Sequence, residues 1–545
     1  MKNNNLPTAT ILYFSGIGFF RQKSEEKQRV IFAQAVKHWQ NEFNESLPLD
    51  IYDQLIAYQK EQQSKRKLAK DKKLQLELSK PIAIGTIAAD SHVSKYCAGK
   101  YVLTSAQNNT LINKDFFNAL LQFCEHHNAT LLIAKITYNK NGFLQPESQD
   151  NELWYANELK PYLIDGHIRL GENFEFIGNS NVSPTAKNPL TGFSGISPAG
   201  INAIIPATKV ALKVSAALKN GHKKILMSTG TVTLKNYIYR KVGTIAAIEH
   251  NFAAVFIDTN QNVMRHVELM ENCKYFYDLD YIYLPDGYTK TYKHVAALHI
   301  GDVHAEKVEK ENFDKLLDLL DFFKPDNILI HDLIDFSSRN HHNKKDCRFI
   351  HLQHVKGNTV ESDLQKMSDF LDTIAKKSSG SIHVIESNHD LAINTWLQDS
   401  DFKLDPVNAK IYLKLMLALY EYQENYGSSD FNMLKYCYNL FSMYPEANEE
   451  KVIFHSIDDS VKIAGIEFGN HGHIGANGAR GNINTFRELG EPINIGHSHT
   501  PAIQGKAFSA GVLASLNLNY NKGLSNWAIA HVVCYENSQR QIIFA

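Results

Sequence analysis

The stretch Leu298-His299-Ile300-Gly301-Asp302-Val303-His304 runs from a short apolar segment into a carboxylate and an imidazole two residues apart. Residues two apart on an extended strand point to the same side, so Asp302 and His304 could both reach one ion. Such a pair also occurs by chance, and a lone histidine is more often a hydrogen-bonded structural residue. The pair therefore predicts a metal site only if further ligands come from elsewhere in the chain.

The same pattern, a strand-like run ending in His, Asp or Asn, recurs toward the C-terminus. The runs are Ile328–Ile330, Ile382–Ile385, Ile463–Phe468 and Ile493–Ile495, and they lead into His331-Asp332-Leu333-Ile334-Asp335, Ser387-Asn388-His389-Asp390, Asn470-His471-Gly472-His473 and Gly496-His497-Ser498-His499. The ligand-type residues collected in this way are Asp302, His304, Asp332, Asn388, His471, His497 and His499. A mixed nitrogen and oxygen set without thiolate suits Mn, Fe, Zn or Ni, and its size suits a pair of ions. Two ions about 3.5–4 Å apart can clamp a phosphoryl group.

Residues 291–545 resemble the calcineurin-like metallophosphoesterase superfamily, whose motifs are D-x-H, GD-x-x-D, GNH-D/E, a histidine near a glycine, and GH-x-H. The order and spacing of the five motifs fit. His331 and Ser387 replace two glycines of the pattern, at positions that supply no ligand side chain. The resemblance implies a four-layer α/β/β/α sandwich, with two facing sheets and flanking helices.

The resemblance also implies a role for each matching residue. One metal would be held by Asp302, His304 and His499. The second metal would be held by Asn388, His471 and His497, and Asp332 would bridge the two. His389 would contact the scissile phosphate and protonate the leaving oxygen, and Asp390 would orient His389. A hydroxide held by two divalent ions would attack the phosphorus in line. Mn²⁺ is the expected metal, with Zn²⁺, Fe²⁺ and Mg²⁺ as alternatives.

Several residues near the motifs have two interpretations. His471 is preferred to His473 as the ligand because it comes first after its strand, and His473 could instead face the substrate. Asn340, His341 and His342 could reach the site or lie on a surface loop. Arg480, in the segment Gly475–Gly481, could pair with a phosphate or belong to a plain turn. Glu306 and Asp335, beside two of the motifs, are expected to support the ligand loops.

Composition sets the limits for the whole chain. Its 545 residues predict two to four domains. With 57 Lys and Arg against 58 Asp and Glu, the net charge of −1 excludes a protein that binds nucleic acid through overall charge. The six cysteines form no CxxC pair and are expected to be reduced thiols in a cytoplasmic protein. The apolar run Ala9–Phe20 is expected to be a buried strand rather than a signal peptide, because Arg21-Gln22-Lys23 follows it.

The sequence divides into three regions. Residues 1–80 are expected to hold a strand and two helices, the first with apolar residues at Val30, Ala35 and Trp39. The basic run Lys65–Lys73 that follows could contact DNA or form a solvated helix face. Residues 81–290 are expected to form a mixed α/β domain of unassigned role, whose polar loops 105–110 and 228–233 follow strands, where α/β domains place ligand loops. The phosphoesterase domain, 291–545, contains a helical insertion at 393–450.

The whole chain resembles phage-encoded proteins similar to DNA-repair exonucleases, and among them the pre-early proteins with which some tailed phages destroy host DNA. We therefore expect a two-metal DNA nuclease that acts in the host cytoplasm, with DNA as its partner and no membrane association. A homo-oligomer is compatible with the sequence. Two alternatives remain. One is a nucleotide phosphomonoesterase using the same metal clamp, and the other is a catalytically idle binding module.

Overall fold

The computed structural model describes residues 24–43, 50–60, 64, 94–96, 98–138, 153–218, 221–291, 295–339, 347–518 and 521–545. The chain divides into two compact units, residues 1–86 and 87–545. Several predictions fall outside the described residues: the strand at 9–20, the basic run at 65–73, and a role for residues 340–342, which include His341 and His342.

The first unit contains a helix at Glu25–Phe43 and a second helix at 51–60. Ala35, Ile51 and Leu55 are buried between them. The predicted apolar face is only partly confirmed, because Ala35 and Trp39 are buried but Val30 is 54% exposed.

The helices of the second unit lie at Lys114–His127, Lys241–Ile248, Lys310–Phe323, Cys347–Val355, Val360–Lys377, Ala392–Asp399, Ala409–Tyr426, Met433–Phe441, Pro445–Asn448 and Ile483–Arg487. The first of these begins where the side chain of Asn113 accepts a hydrogen bond from the backbone N–H of Phe116. It ends at Asn128, which adopts the left-handed conformation. Within the described ranges, no helix is long and apolar enough to cross a membrane.

One sheet contains the first three predicted motif strands. In sheet order, its described strands are Val452–His455, Ser381–Ile385, Asn327–His331, Ala297–His299, Ala530–Cys534 and Arg540–Phe544. The first four strands are parallel and the last two are antiparallel to their neighbours. Side chains alternate between its faces: Ile328 and Ile330 pack with the helices, whereas Leu329 joins the core on the other side.

A second, larger sheet lies across that core. In sheet order, its described strands are Ser94–Tyr96, His167–Leu170, Phe174–Ile177, Asn202–Ile205, Lys224–Ser228, Ala211–Ser215, Ala502–Gln504, Ala507–Ser509, Ile493–Ile495, Ile466–Glu467 and Lys462–Ile463. Phe468 and Phe508 pack in the same core as Leu329. The mixed α/β class, with sheets facing each other in a sandwich, is thereby confirmed. Leu212 pairs with Ile503, so strands from both sides of residue 290 share this sheet.

The predicted strand Ile463–Phe468 is wrong in one respect, since it is a hairpin rather than a single run. Lys462–Ile463 and Ile466–Glu467 pair in antiparallel fashion. Ala464 and Gly465, with φ of 50° and 74°, form the turn. The side-chain alternation of this stretch resembles one strand, and only the positive φ values at its centre reveal the turn.

The remaining described strands form two smaller sheets. One has the order Val263–Leu269, Phe252–Asp258, Lys100–Gln107, Thr130–Ile136 and Leu163–Ile164, and the other has Phe276–Asp278, Tyr281–Leu284 and Gly287–Lys290. The two polar loops singled out in the sequence contact each other here. Ser105 Oγ donates to the carbonyl of Gly230 at 2.7 Å, and Thr231 Oγ1 donates to the carbonyl of Ser105 at 2.8 Å. These side chains therefore join two segments of the fold.

Candidate metal centre

All five predicted strand-end segments meet at one place. The strands Ala297–His299, Asn327–His331 and Ser381–Ile385 are mutually parallel, so their carboxyl ends lie at one edge of the sheet. The strands Ile466–Glu467 and Ile493–Ile495 of the facing sheet are also parallel to each other. Residues that are far apart in sequence are brought together because parallel strands deliver their following loops to the same edge.

Asp302, His304 and His499 form one half of the centre, and all three are buried. His304 Nε2 and His499 Nε2 lie 3.0 Å apart, and His499 Nε2 lies 3.3 Å from Asp302 Oδ2. Asp332 Oδ2 approaches His304 Nε2 to 3.8 Å. The three residues assigned by resemblance to one metal thus surround a single point beside Asp332.

The other half gathers on the opposite side of Asp332. His471 Nε2 lies 3.1 Å from Asp332 Oδ2, and the His471 and His497 rings are 5.3 Å apart. The buried Asn388 Oδ1 has no hydrogen-bond donor among the described residues. His473 is half-buried, and its ring lies 5.3 Å from that of His471. Of the two histidines considered for this position, His471 is the one in contact with Asp332.

The donor atoms of this centre fit divalent cations. Carboxylates and imidazole nitrogens are crowded together in a buried space, in three groups whose ligand atoms lie within 4.8 Å of one another: Asp302, His331 and His471; His304, Asp335 and His389; and His304, Asp332 and His499. Neither oxygen of Asp302 receives a hydrogen bond from a side chain among the described residues. Burial and the nearby charge of Asp332 raise the pKa of Asp302 to about 8. Cations would neutralise this acceptor-rich space and satisfy the unpaired atoms.

The carboxylate next to His389 belongs to Asp335. Asp335 Oδ1 lies 3.3 Å from His389 Nδ1 and 3.8 Å from His304 Nδ1. Burial opposes a charge on His389, but the charges of Asp332 and Asp335 outweigh it and raise the pKa of His389 to about 9. Asp390, to which we assigned the orienting role, instead accepts hydrogen bonds from the backbone N–H groups of Ile334 and Ser387, both at 3.1 Å. It ties two ligand loops together.

Four of the ligand-type residues have left-handed backbone conformations, with φ between 44° and 65°: His304, Asp332, His497 and His499. For residues other than glycine, each such conformation costs on the order of 1–3 kcal/mol and persists only where the surroundings enforce it. One such constraint is the hydrogen bond from the backbone N–H of His304 to the carbonyl of Asp332, at 2.7 Å. Strained backbone concentrated in this way is typical of a functional site.

Sequence reasoning missed two residues that lie beside the centre. Asp335 was expected to lie near it, but not as the partner of His389. His331 Nδ1 lies 3.4 Å from His471 Nδ1, and the Trp527 ring lies 4.2 Å from that of His499. The signal for His331 was present, because it replaces a glycine of the motif. Trp527 had no such signal, since it follows the last motif by 28 positions.

Arg480 lies on the exposed loop that follows His473. A bridge between Ile474 and Arg480 closes this loop into a hairpin. Burial chiefly, together with the charges of His471 and Arg480, lowers the pKa of His497 to about 4. Arg480 is therefore close enough to act electrostatically on His497, and its side chain is exposed to solvent.

The fold and the site define a mixed α/β protein with a buried His/Asp centre that could hold metal ions. The chain is 37% identical, over 496 residues, to Protein A1 of Escherichia phage T5, and the match covers 88% of each chain. It therefore belongs to the family of that phage protein, and the expected relationship to phage proteins is confirmed. No protein-family model and no solved structure matches the chain.

Proposed function

We propose that this protein is a two-metal phosphodiesterase of the calcineurin-like kind and that its substrate is DNA. The observation that carries the proposal is the cluster in which His304, His471 and His499, from three separate segments, lie within 3.1–3.8 Å of the buried carboxylates of Asp302 and Asp332. A structural histidine in a protein core usually forms hydrogen bonds with the polar groups nearest to it. Here His304, His471 and His499 instead face two carboxylates with their Nε2 atoms.

The chain's own residues would have distinct tasks in this reaction. Asp302, His304 and His499 would hold one cation, Asn388, His471 and His497 the other, and Asp332 both. Bound divalent ions, Mn²⁺ in our proposal, would supply Lewis-acid stabilisation of the charged phosphoryl group. The remaining residues bind the substrate and move a proton.

His389 is the proposed proton donor to the leaving oxygen. The raised pKa keeps its ring protonated near neutral pH. A cation at Asp332 would offset part of that effect, which leaves Asp335 as the carboxylate that stabilises the protonated ring. Ser337 Oγ donates to Asp335 Oδ2 at 2.7 Å, and Glu306 accepts from the backbone N–H of Asp335 at 2.8 Å. Asp335 is thus fixed in place on two sides.

One observation favours DNA over a mononucleotide. The exposed loop that carries Arg480 provides a cation outside the buried centre, which could pair with a phosphate beyond the scissile bond. We propose that the enzyme acts on nucleic acid in the host cytoplasm, as expected for a relative of a phage protein. A homo-oligomer is compatible with this proposal.

The test uses the purified full chain, stripped of metal and supplied with Mn²⁺, Zn²⁺, Fe²⁺ or Mg²⁺. Linear duplex DNA, circular DNA, single strands and 5′-mononucleotides are offered side by side. Asp302→Ala and His389→Ala should abolish cleavage. His383→Ala is the matched control: His383 lies on the strand that leads into Asn388 and His389, but its ring nitrogens contact His455 and Asn327 rather than the centre.

The outcomes separate the possible functions. Metal-dependent DNA cleavage that both site variants lose supports the proposal, and cleavage of circles distinguishes an endonuclease from an exonuclease. Phosphate release from mononucleotides alone would indicate a nucleotidase. Metal binding without any hydrolysis would favour the binding module.

A further inference from the structure

His331 occupies the position where the motif has glycine, and its side chain is fully buried behind the centre. Its ring lies 4.5 Å from that of His299 and 5.5 Å from that of His471. Two polar contacts hold it: Nε2 lies 3.1 Å from the carbonyl oxygen of Phe468, and Nδ1 lies 3.4 Å from His471 Nδ1. A glycine there could make neither contact.

These contacts determine where the hydrogens are. A carbonyl oxygen only accepts, so Nε2 of His331 carries a hydrogen and donates it to Phe468. A neutral imidazole has one donor and one acceptor nitrogen, and burial favours the neutral form. Nδ1 of His331 therefore presents a lone pair to His471.

His471 must then donate from its own Nδ1. No other described group competes for that hydrogen, because the neighbouring Asp302 Oδ1 lies 3.9 Å away, beyond hydrogen-bond distance. When the ring of His471 is neutral, with its hydrogen on Nδ1, the lone pair is on Nε2. That atom faces Asp332 Oδ2 at 3.1 Å, which is the side on which a cation would be held.

We propose that His331 is a positioning residue that fixes the tautomer and ring orientation of His471, so that His471 Nε2 is available as a metal ligand. The inference rests on the metal centre of the proposed function. Metal-ligating histidines generally donate their second ring N–H to a neighbouring acceptor, and loss of that acceptor typically costs 10–100-fold in metal affinity. Here a second histidine would serve as the acceptor, itself held by the Phe468 carbonyl.

The test is a Mn²⁺ titration of the metal-stripped full chain, followed by electron paramagnetic resonance, which resolves the affinity of each ion. The variants are His331→Ala, His331→Asn and His471→Ala, with His383→Ala as the control and a thermal melt to verify folding. The Asn amide oxygen can accept in place of Nδ1. We expect His331→Ala to lower the binding affinity for one of the two Mn²⁺ ions by about 10–100-fold and to leave the affinity for the other unchanged. His331→Asn should recover most of that loss.

Two kinds of failure are distinguishable. If His471→Ala loses one ion while His331→Ala binds both as tightly as the unaltered chain, the positioning role is overturned and the proposed metal centre stands. The positioning role is also overturned if His331→Asn binds Mn²⁺ as weakly as His331→Ala. If the unaltered chain binds no Mn²⁺, or if His471→Ala binds both ions normally, both the inference and the metal assignment are overturned.

Discussion

Gly496 has no room for a side chain, and the substitution Gly496→Ala tests the geometry of the centre. A Cβ atom at this position would lie 2.1 Å from Asp302 Oδ1 and 3.2 Å from His471 Nδ1. Restoring a separation of 3.0 Å, below which real Cβ contacts essentially do not occur, needs a displacement of about 0.9 Å. The methyl group therefore pushes directly on two proposed ligands.

The surroundings leave Asp302 little freedom to move away. Its backbone N–H donates to the carbonyl of Gly511 at 3.0 Å, and its carbonyl accepts from Leu513 at 2.9 Å. The N–H of Gly496 itself donates to the carbonyl of His471 at 2.8 Å. A displacement of this size at reacting groups can cost on the order of 100-fold in rate, and overpacking typically costs about 1–3 kcal/mol of stability.

The assay combines Mn²⁺ affinity, turnover of a phosphodiester substrate and a denaturant melt. We expect weaker binding of both ions and roughly a hundredfold lower turnover in a folded protein. Gly287→Ala is the matched control, because nothing lies within 4 Å of a Cβ at that position. If Gly496→Ala retained normal Mn²⁺ affinity and turnover, the packing of Asp302 and His471 against Gly496 would not be as described.

Three further substitutions test other described contacts. Asp332→Asn should abolish binding of both ions. The fold should stay intact, because Asn tolerates the left-handed conformation as well as Asp does. Retention of both ions in a Mn²⁺ titration would contradict the bridging role. Arg480→Ala should raise KM for DNA about tenfold with kcat unchanged, consistent with loss of one exposed phosphate contact. An equal effect on a mononucleotide substrate would argue against a role in holding the DNA backbone. Burial lowers the pKa of His250 to about 4, below the unfolded value of about 6.5, so its contribution to stability is complete above pH 6.5 and declines as the pH falls toward 4. When the pH is lowered from 7 to 5, the unfolding free energy measured in urea melts should therefore fall by about 2 kcal/mol less in His250→Gln than in the unaltered chain. Equal falls in the two proteins would exclude His250 as the source of this pH dependence.

Local pattern was sufficient to find the segments that form the buried His/Asp centre. Each of the five segments places ligand-type residues directly after an apolar run, and no knowledge of long-range contacts is needed to read that. Ile493–Ile495 matches the observed strand, and Ala35 and Trp39 form part of the predicted apolar face of the helix at Glu25–Phe43. These elements were readable because alternation, helical spacing and capping residues are properties of neighbouring positions.

The neighbours of the ligands were harder to predict. Asp335 and Asp390 both belong to the motif segments, and the family resemblance implied Asp390 as the partner of His389. The structure places Asp335 there, since the loop after Asp332 turns toward His389 while Asp390 accepts hydrogen bonds from two backbone N–H groups. The direction in which a loop side chain points depends on backbone angles that the residue type does not specify.

The sequence by itself determined the chemistry of this protein: which donors it offers, in which order, and at the ends of which strands. Only the tertiary structure decided that Leu212 pairs with Ile503, that His331 lies behind His471, and that Gly496 packs against Asp302. These contacts join residues that are 140 to 291 positions apart. Such pairs are selected by the packing of whole sheets around a shared core, and local periodicity carries no information about them.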